Sequence, residues 1–373
     1  MGLFSIGLHA QQGAQVLTQD ESTKLQSWIS QDGVFIAYVG DKAENQCAPL
    51  ELQDQEIFLL DVVNHETQRL TTNEVQDTDP SVSVGGELVA FSRELEAGTF
   101  AVFLYDVAAE RERQLSGLEA VQTGSATISA LHPMISVDGS AVVYEQNGDI
   151  FITGTVETDE SQEPVNLTNS PNVQDQFPAL SEDGGQIVFS SSGDYLGANA
   201  TGDEEIFMIS ALGNNLRQLT HNEVADAHPW ISADGAMVAF ERAVAGPAGP
   251  QVDVFLVPSS GTGFETNLTN SSTMDEHFPT LSADGSVVAF EVQVGDTVQY
   301  AKMKRDGTEL VTLSSTPSSP LDRVSITLTG DGASAVFSSL NGSLGCRQVF
   351  LGGELPNVAP LANGGGDQTV AVG

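Results

Sequence analysis

A four-residue turn motif that recurs along the chain constrains its fold more than any other feature. Ser-x-Asp-Gly occurs five times, and two weaker copies have Gly in place of Asp or Thr in place of Ser. Glycine accepts the positive φ that a tight hairpin requires, and aspartate bonds to its own backbone in such a turn. The chain therefore contains seven similar units 45 to 53 residues apart, whose turns lie at 30–33, 83–86, 136–139, 181–184, 232–235, 282–285 and 329–332.

Each turn lies within the same local pattern of strands. An apolar stretch precedes it, an alternating strand such as MVAFE follows, and a third strand such as DVFLVP and a fourth such as RQLT complete most units. Four short strands repeated about every 50 residues predict the blade of a β-propeller. No segment keeps a helical period beyond a turn or two, which excludes an α/β barrel. The predicted fold is all-β, a seven-bladed β-propeller of four-stranded antiparallel blades.

The seventh unit lacks an obvious fourth strand, and two segments compete to supply it. QVLTQ at 15–19 matches the RQLT strands closely, whereas NVAPLAN at 357–363 matches them less well. We expect the N-terminal strand to close the ring, because pairing the chain ends removes exposed sheet edges. The predicted layout is an N-terminal segment at 1–13, the propeller at 14–356 and a C-terminal tail at 357–373. The first segment lacks a basic n-region, so it is at best a signal-peptide remnant.

The charge balance restricts the partners of this protein. Among 373 residues, 51 Asp and Glu outnumber 13 Lys and Arg, which gives a net charge of −38. Such a polyanion is repelled by nucleic acid and by anionic lipid surfaces, and no apolar run is long enough for a membrane span. We therefore expect no nucleic-acid partner and no membrane insertion. A surface adapted to high salt explains the charge equally well.

These repeats resemble the PD40-type repeats of TolB-like propellers, in which Pro-x-x-Ser-x-Asp-Gly, a strand, an Ile-Phe strand and Leu-Thr follow one another. The resemblance extends from about residue 15 to residue 351, and GANATGDEEIFMI at 197–209 is similar to segments of secreted bacterial proteins of this type. The resemblance implies an extracytoplasmic, bacterial-type location. TolB itself is similar but six-bladed with an additional N-terminal domain, so a Pal-binding role is not implied.

Loops that lead into the innermost strands carry the first candidate site, at the mouth of the channel. An acidic residue stands three positions before a proline in four of these loops, and a histidine stands one or two positions before a proline in three. Carboxylates and imidazoles on one axis suit a divalent cation or a cationic ligand. Alternatively, the repeated acids cap loops by bonding to the backbone. The candidates are Asp77, Asp175, Asp226, Glu276, His132, His228 and His277.

The fourth unit contains a second candidate site, an oxygen-rich loop. Its oxygen ligands suit Ca²⁺, which is the candidate cofactor of this chain. Its spacing does not follow the EF-hand pattern, so an acidic solvated loop is the alternative. The candidate ligands are Asp194, Asn199, Asp203, Glu204 and Glu205.

The two cysteines of the chain occupy equivalent loops in the first and last units. Cys47 and Cys346 each follow the second strand of their unit and precede the third. Ring closure makes these units neighbours, so we expect a disulfide across the seam, which would indicate an oxidising compartment. Two unrelated free thiols are the alternative.

No catalytic motif is recognisable in this chain, which has no nucleophile elbow, phosphate loop or His-Glu-x-x-His. We therefore expect a non-catalytic extracytoplasmic binding or scaffolding propeller with a protein or small-ligand partner, as a monomer or within a larger assembly. The alternative is a metal-dependent propeller enzyme such as a polysaccharide lyase or hydrolase, which the histidines leave open.

Overall fold

The computed structural model describes residues 14–18, 23–41, 55–96, 98–117, 129–156, 163–246, 249–271, 274–295, 297–314, 326–341 and 346–353. These residues form seven four-stranded antiparallel sheets, together with a single 3₁₀ turn at Val84–Gly86. The predicted fold class, a seven-bladed β-propeller, is confirmed. The described residues include no helix long and apolar enough to span a membrane.

Each blade runs from an inner strand at the channel to a short outer strand. Blade 1 consists of β2 (Lys24–Ile29), β3 (Phe35–Asp41), β4 (Gln55–Asp61) and β5 (Glu66–Arg69). Blade 2 consists of β6 (Asp77–Val82), β7 (Leu88–Glu96), β8 (Thr99–Asp106) and β9 (Arg111–Gln114). Blade 3 consists of β10 (Ala130–Ile135), β11 (Ala141–Gln146), β12 (Asp149–Gly154) and β13 (Val165–Asn166).

The remaining blades repeat this order. Blade 4 consists of β14 (Asp175–Leu180), β15 (Gln186–Ser191), β16 (Glu205–Ser210) and β17 (Arg217–Gln218). Blade 5 consists of β18 (Asp226–Ile231), β19 (Met237–Gly246), β20 (Gly249–Pro258) and β21 (Thr266–Asn267). Blade 6 consists of β22 (Asp275–Leu281), β23 (Val287–Val294), β24 (Thr297–Lys304) and β25 (Val311–Thr312). Blade 7 consists of β26 (Thr327–Leu328), β27 (Ala335–Asn341), β28 (Cys346–Gly352) and β1 (Gln15–Val16).

The N-terminal strand closes the ring, as predicted. Gln15 and Val16 pair with Leu351 and Phe350 on the outer edge of β28. The competing segment at 357–363 lies outside the described residues. Closure by the first strand makes blade 7 the only blade assembled from both ends of the chain.

The repeated Leu-Thr or Leu-Ser pair explains why the outer strands are so short. In blade 1 the amide of Leu70 donates to the carbonyl of Ile57, and the hydroxyl of Thr71 accepts the Ile57 amide at 2.9 Å. The threonine hydroxyl thus accepts a hydrogen bond from a strand-edge amide that would otherwise need a longer partner strand. The same two bonds occur in every blade, with Ser116, Thr168, Thr220, Thr269, Ser314 and Thr18 as the hydroxyl acceptors.

The repeated turn is held by its own serine and aspartate. In blade 5 the Ser232 hydroxyl donates to Asp234 and accepts the Met237 amide, while Asp234 also accepts the Ala236 amide. Blade 2 lacks the aspartate, and Asp32 of blade 1 accepts the amide of Gly85 there instead. The motif therefore specifies hairpin geometry, which accounts for its recurrence without any ligand.

The hydrophobic core lies between blades rather than within one. Seven buried clusters each join the facing sides of two adjacent blades. At the seam, Ile29 and Tyr38 of blade 1 pack with Val336 and Leu351 of blade 7. Burial of apolar surface at every blade junction makes the ring one cooperative unit.

Candidate functional site

The inner strands of blades 1 to 6 each contain a bulge at the level of the channel mouth. In blade 3, Leu131 pairs with Glu145 and Met134 with Val143, so two residues lie opposite one on β11. His132 within this bulge has a φ of 52°. Left-handed backbone is unfavourable for residues other than glycine, and it is seen mostly where function or packing enforces it. The equivalent residues with positive φ in the other described bulges are Gln26, Asp79, Phe177, His228 and Phe278.

These bulge residues line a cavity at one mouth of the channel. The cavity has a volume of about 430 Å³ and is walled by one such residue from each of blades 1 to 6. The repeat fixes the backbone at these positions, whereas the side chains differ from blade to blade. The equivalent residues of blade 7 lie outside the described residues. The cavity therefore departs from the sevenfold regularity of the scaffold, as a ligand site on a repeat protein does.

Two tryptophans close the floor of this cavity. Trp28 of blade 1 and Trp230 of blade 5 contact each other with ring centroids 5.1 Å apart. Both rings also line a smaller space of about 70 Å³ on the opposite side, which the Ser-x-Asp-Gly turns surround. There the turns bond to one another, for example from the Gly330 amide to the Gln31 carbonyl at 2.7 Å. We call the larger cavity the cup, because the tryptophan pair lies between it and the smaller space.

Histidine side chains on the cup wall are oriented by glutamates of the second strands. Nδ1 of His228 lies 2.7 Å from Glu241, and Nδ1 of His132 lies 3.3 Å from Glu145. Nδ1 of His277 also lies near Glu241, at 3.4 Å, although His277 does not line the cup. Hydrogen bonds from the imidazoles outweigh burial and lower the pKa of Glu241 to about 2. Glu241 is therefore ionised and fixed.

The four carboxylates that we predicted at the mouth of the channel do not face it. Each is at most 2% exposed and none lines the cup. Asp226 pairs directly across the sheet with Arg242, whose guanidinium donates to both of its oxygens. Asp77 pairs with Arg93 in the same way, and Asp175 accepts from Tyr195 and Ser170. These three acids bond mainly within their own blades, which agrees with the alternative that repeated acids bond within the structure.

Glu276 differs from Asp77 and Asp226, because its opposite residue on β23 is Val292 rather than arginine. Burial, reinforced by the nearby Asp253 carboxylate, raises the pKa of Glu276 to about 8. Within the described structure, its Oε2 has no hydrogen-bond partner, and neither has Oδ1 of Asp253. The junction of blades 5 and 6 therefore holds a buried acid that is protonated at neutral pH.

The oxygen-rich loop of blade 4 is bonded largely to itself. Asp194 accepts the amide of Asn199, and the Asn199 side chain donates to the carbonyl of Asp203. Glu205 is buried and accepts from Thr220 and from the Asn222 amide, while the Glu204 carbonyl accepts the Asp226 amide. Among the described residues no group of three or more His, Cys, Asp or Glu is placed to hold a metal ion. Ca²⁺ binding by this loop stays a prediction.

Of the two cysteines, only Cys346 belongs to the described part of the chain. It is the first residue of β28 and is 1% exposed. Cys47 lies outside the described residues. The disulfide between them therefore stays a prediction.

Sequence reasoning missed most of the cup. It selected His132 and His228 but not Gln26, Asp79, Phe177 or Phe278, which occupy the same position in their blades. The available signal in blades 2 to 6 was the residue directly before the repeated proline. Neither tryptophan was assigned a role, because repeat alignment does not indicate that blades 1 and 5 meet across the axis.

No protein-family model matches this chain, and no curated protein sequence does either. Solved structures match it in fold at low identity. A putative TolB from Agrobacterium tumefaciens is 16% identical, with 80% of this chain and 98% of that one covered and a TM-score of 0.53. An oligogalacturonate lyase from Vibrio parahaemolyticus is 13% identical, with 91% and 92% covered and a TM-score of 0.63.

An oligogalacturonate lyase in complex with manganese is 14% identical, with 92% of this chain and 93% of that one covered and a TM-score of 0.64. Identities this low establish the fold and leave the activity open. The Ser-x-Asp-Gly turns, the Leu-Thr edges and the closure by the first strand all agree with that fold. In fold, this protein is a seven-bladed β-propeller, similar in structure to the putative TolB and to the oligogalacturonate lyases.

Proposed function

We propose that this protein is a non-catalytic extracytoplasmic binding propeller that takes a ligand into the cup. The observation that carries this proposal is the cup itself, a cavity of about 430 Å³ at the mouth of the channel with the tryptophan pair as its floor. Its volume lies in the usual range for small-ligand sites, and aromatic walls with a few polar groups are typical of such sites. A closed floor favours retention of a ligand over passage through the channel.

The polar groups of the cup support binding rather than chemistry. Gln26 and Asp79 bond to each other, and His228 is fixed by Glu241. Side chains held in this way are pre-organised to orient a ligand, which lowers the cost of binding.

The location outside the cytoplasm rests on the cysteines. In the described part of the chain no cysteine is a free thiol. The chain contains two cysteines in all, so we propose Cys47 as the partner of Cys346. Structural disulfides persist in oxidising compartments.

A metal-dependent enzyme is the second candidate, and one observation favours it. His228 directs Nδ1 to Glu241, which leaves its Nε2 for another partner. Metal-ligating histidines are commonly oriented by a carboxylate in this manner. The lyase structure in complex with manganese shares this fold.

Metal analysis and activity assays on the purified protein separate the two candidates. We expect no stoichiometric transition metal in the protein as isolated, and no eliminative cleavage of oligogalacturonate with manganese added. One equivalent of metal that is lost in His228→Ala, together with turnover, would replace the binding proposal with the enzyme. Phe264→Leu, at a surface residue that is 94% exposed, is the matched control.

A further inference from the structure

We propose that the ligand of the cup is a small organic cation that carries a substituted ammonium group. This inference rests on the proposed function in that it takes the cup as the binding site. It adds the chemical class of the ligand, which follows from the aromatic walls, the charge of the wall and the size of the cavity.

Aromatic rings surround the space that a ligand would occupy. Phe177 lies between two imidazoles, with its ring centroid 5.1 Å from that of His132 and 4.1 Å from that of His228. Phe278 packs against the other side of His228 at 4.5 Å. Trp28 and Trp230 form the floor. Faces of tryptophan and phenylalanine attract cations through the ring quadrupole, and tryptophan does so most strongly.

A fixed carboxylate on the same wall supplies negative charge. The side-chain amide of Gln26 donates to Oδ1 of Asp79 at 2.7 Å, and Oε1 of Gln26 accepts the Asp79 amide at 2.8 Å. These two bonds orient Asp79, whose φ of 51° turns its side chain out of the strand pattern. None of the described residues that line the cup is Lys or Arg. A cation is therefore favoured over an anion of the same size.

The size and access of the cup favour a small molecule over a folded segment of a partner. About 430 Å³ accommodates a ligand of drug-like size, and the tryptophan pair prevents a chain from threading through. The net charge of −38 raises the local concentration of cations around the mouth.

Tryptophan fluorescence reports directly on this site, because the chain contains two tryptophans and both lie on the floor of the cup. We would titrate the full chain with choline and, in parallel, with 3,3-dimethyl-1-butanol, its neutral isostere. We expect a saturable change in emission with choline and affinity for the alcohol weaker by about tenfold or more. Equal affinities would overturn the inference, since an apolar cup alone explains them. No change with choline, checked by calorimetry, would also overturn it.

Two variants locate the binding site. Asp79→Asn keeps an acceptor for Gln26 and removes the charge, so choline affinity should fall about tenfold while affinity for the alcohol stays unchanged. Phe177→Leu should weaken choline binding, whereas Phe264→Leu, at the exposed surface, should not. Unchanged choline affinity in both cup variants would contradict the inference. A melting temperature equal to that of the wild type shows that each variant is folded. Failure here leaves the binding propeller in place, whereas a bound metal with turnover would overturn the proposed function itself.

Discussion

At the scale of single residues, the residue opposite a buried acid determines how much its burial costs. Asp226 and Glu276 occupy the same position in neighbouring inner strands, and both are almost inaccessible to solvent. Asp226 has Arg242 opposite, which lowers the cost of a buried charge, whereas Glu276 has Val292 opposite. Burial without a cation favours the neutral acid. The repeat therefore preserves the position of the acid but not the cation opposite it.

Glu276→Gln tests the protonation of this acid. A pKa of about 8 in the folded state exceeds the ordinary value of 4.5, so the folded protein binds a proton that the unfolded chain releases. The stability contributed by this group is present below pH 4.5 and is lost as the pH rises through 8, by up to about 1.4 kcal/mol per unit. We expect Glu276→Gln, which mimics the protonated acid, to flatten this fall in thermal melts between pH 5 and pH 9.

Glu309→Gln is the control, because that side chain is 65% exposed on the surface. It should leave the pH dependence of the melting temperature unchanged. A Glu276→Gln protein with the full wild-type slope would show that Glu276 does not hold the proton.

At the scale of single elements, the attachment of each short fourth strand to its blade depends on one hydroxyl group that follows the strand. β1 pairs two residues with β28, and Thr18 then accepts the amide of Val349 at 3.0 Å. Removing the hydroxyl leaves a buried amide without its acceptor, which typically costs about 1–3 kcal/mol. The identical bond in blade 1, from the Ile57 amide to Thr71, does not involve the chain end.

Thr18→Val should therefore loosen the closing strand specifically. We expect faster amide hydrogen exchange at Val349 and Leu351, with the exchange of blades 2 to 6 unchanged. Thr71→Val is the matched control, and it should accelerate exchange in blade 1 only. Protection of blade 7 that survives Thr18→Val would mean that β1 is held by other contacts.

The hairpin turns and the Leu-Thr pairs were predictable from the sequence, because their hydrogen bonds are made by residues in short, recurring motifs. Ser232, Asp234 and Gly235 specify their hairpin through bonds within five residues, so the repeat is readable without the fold. Leu17 and Thr18 are recognisable for the same reason. The orientation of the inner-strand side chains was not predictable, because the bulge at Asp79 or His132 reverses the alternation that a regular strand would follow. The acids were therefore predicted to face the channel, and of the bulge residues only His132 and His228 were selected.

At the scale of the whole molecule, the ring lacks covalent continuity within blade 7, where β1 from the start of the ring pairs with β28 from its end. The bond from the Gly330 amide to Gln31 and a buried apolar cluster also join blade 7 to blade 1 at this seam. The proposed bond between Cys47 and Cys346 would add a covalent link across the same seam. A disulfide that closes a long loop typically contributes about 2–4 kcal/mol.

Thiol titration of the denatured, unreduced protein tests this bond. We expect no free thiol per chain before reduction and two after it, and a lower melting temperature under reducing conditions. Cys346→Ser should remove the dependence of the melting temperature on reductant. Two free thiols in the unreduced protein would refute the bond and, with it, the main support for an extracytoplasmic location.

Closure by β1 also sets the order in which the molecule can be completed. β1, the first described strand, pairs with Phe350 and Leu351, which are among the last described residues. A chain that ends before blade 7 leaves β1 without a partner and exposes the apolar faces of blades 1 and 6 that blade 7 would bury. Such products present unpaired strand edges, which are the features that proteases and chaperones recognise. Only a chain that includes blade 7 pairs β1 and buries these faces, so truncated products differ from the complete ring in exposed strand edges and apolar surface.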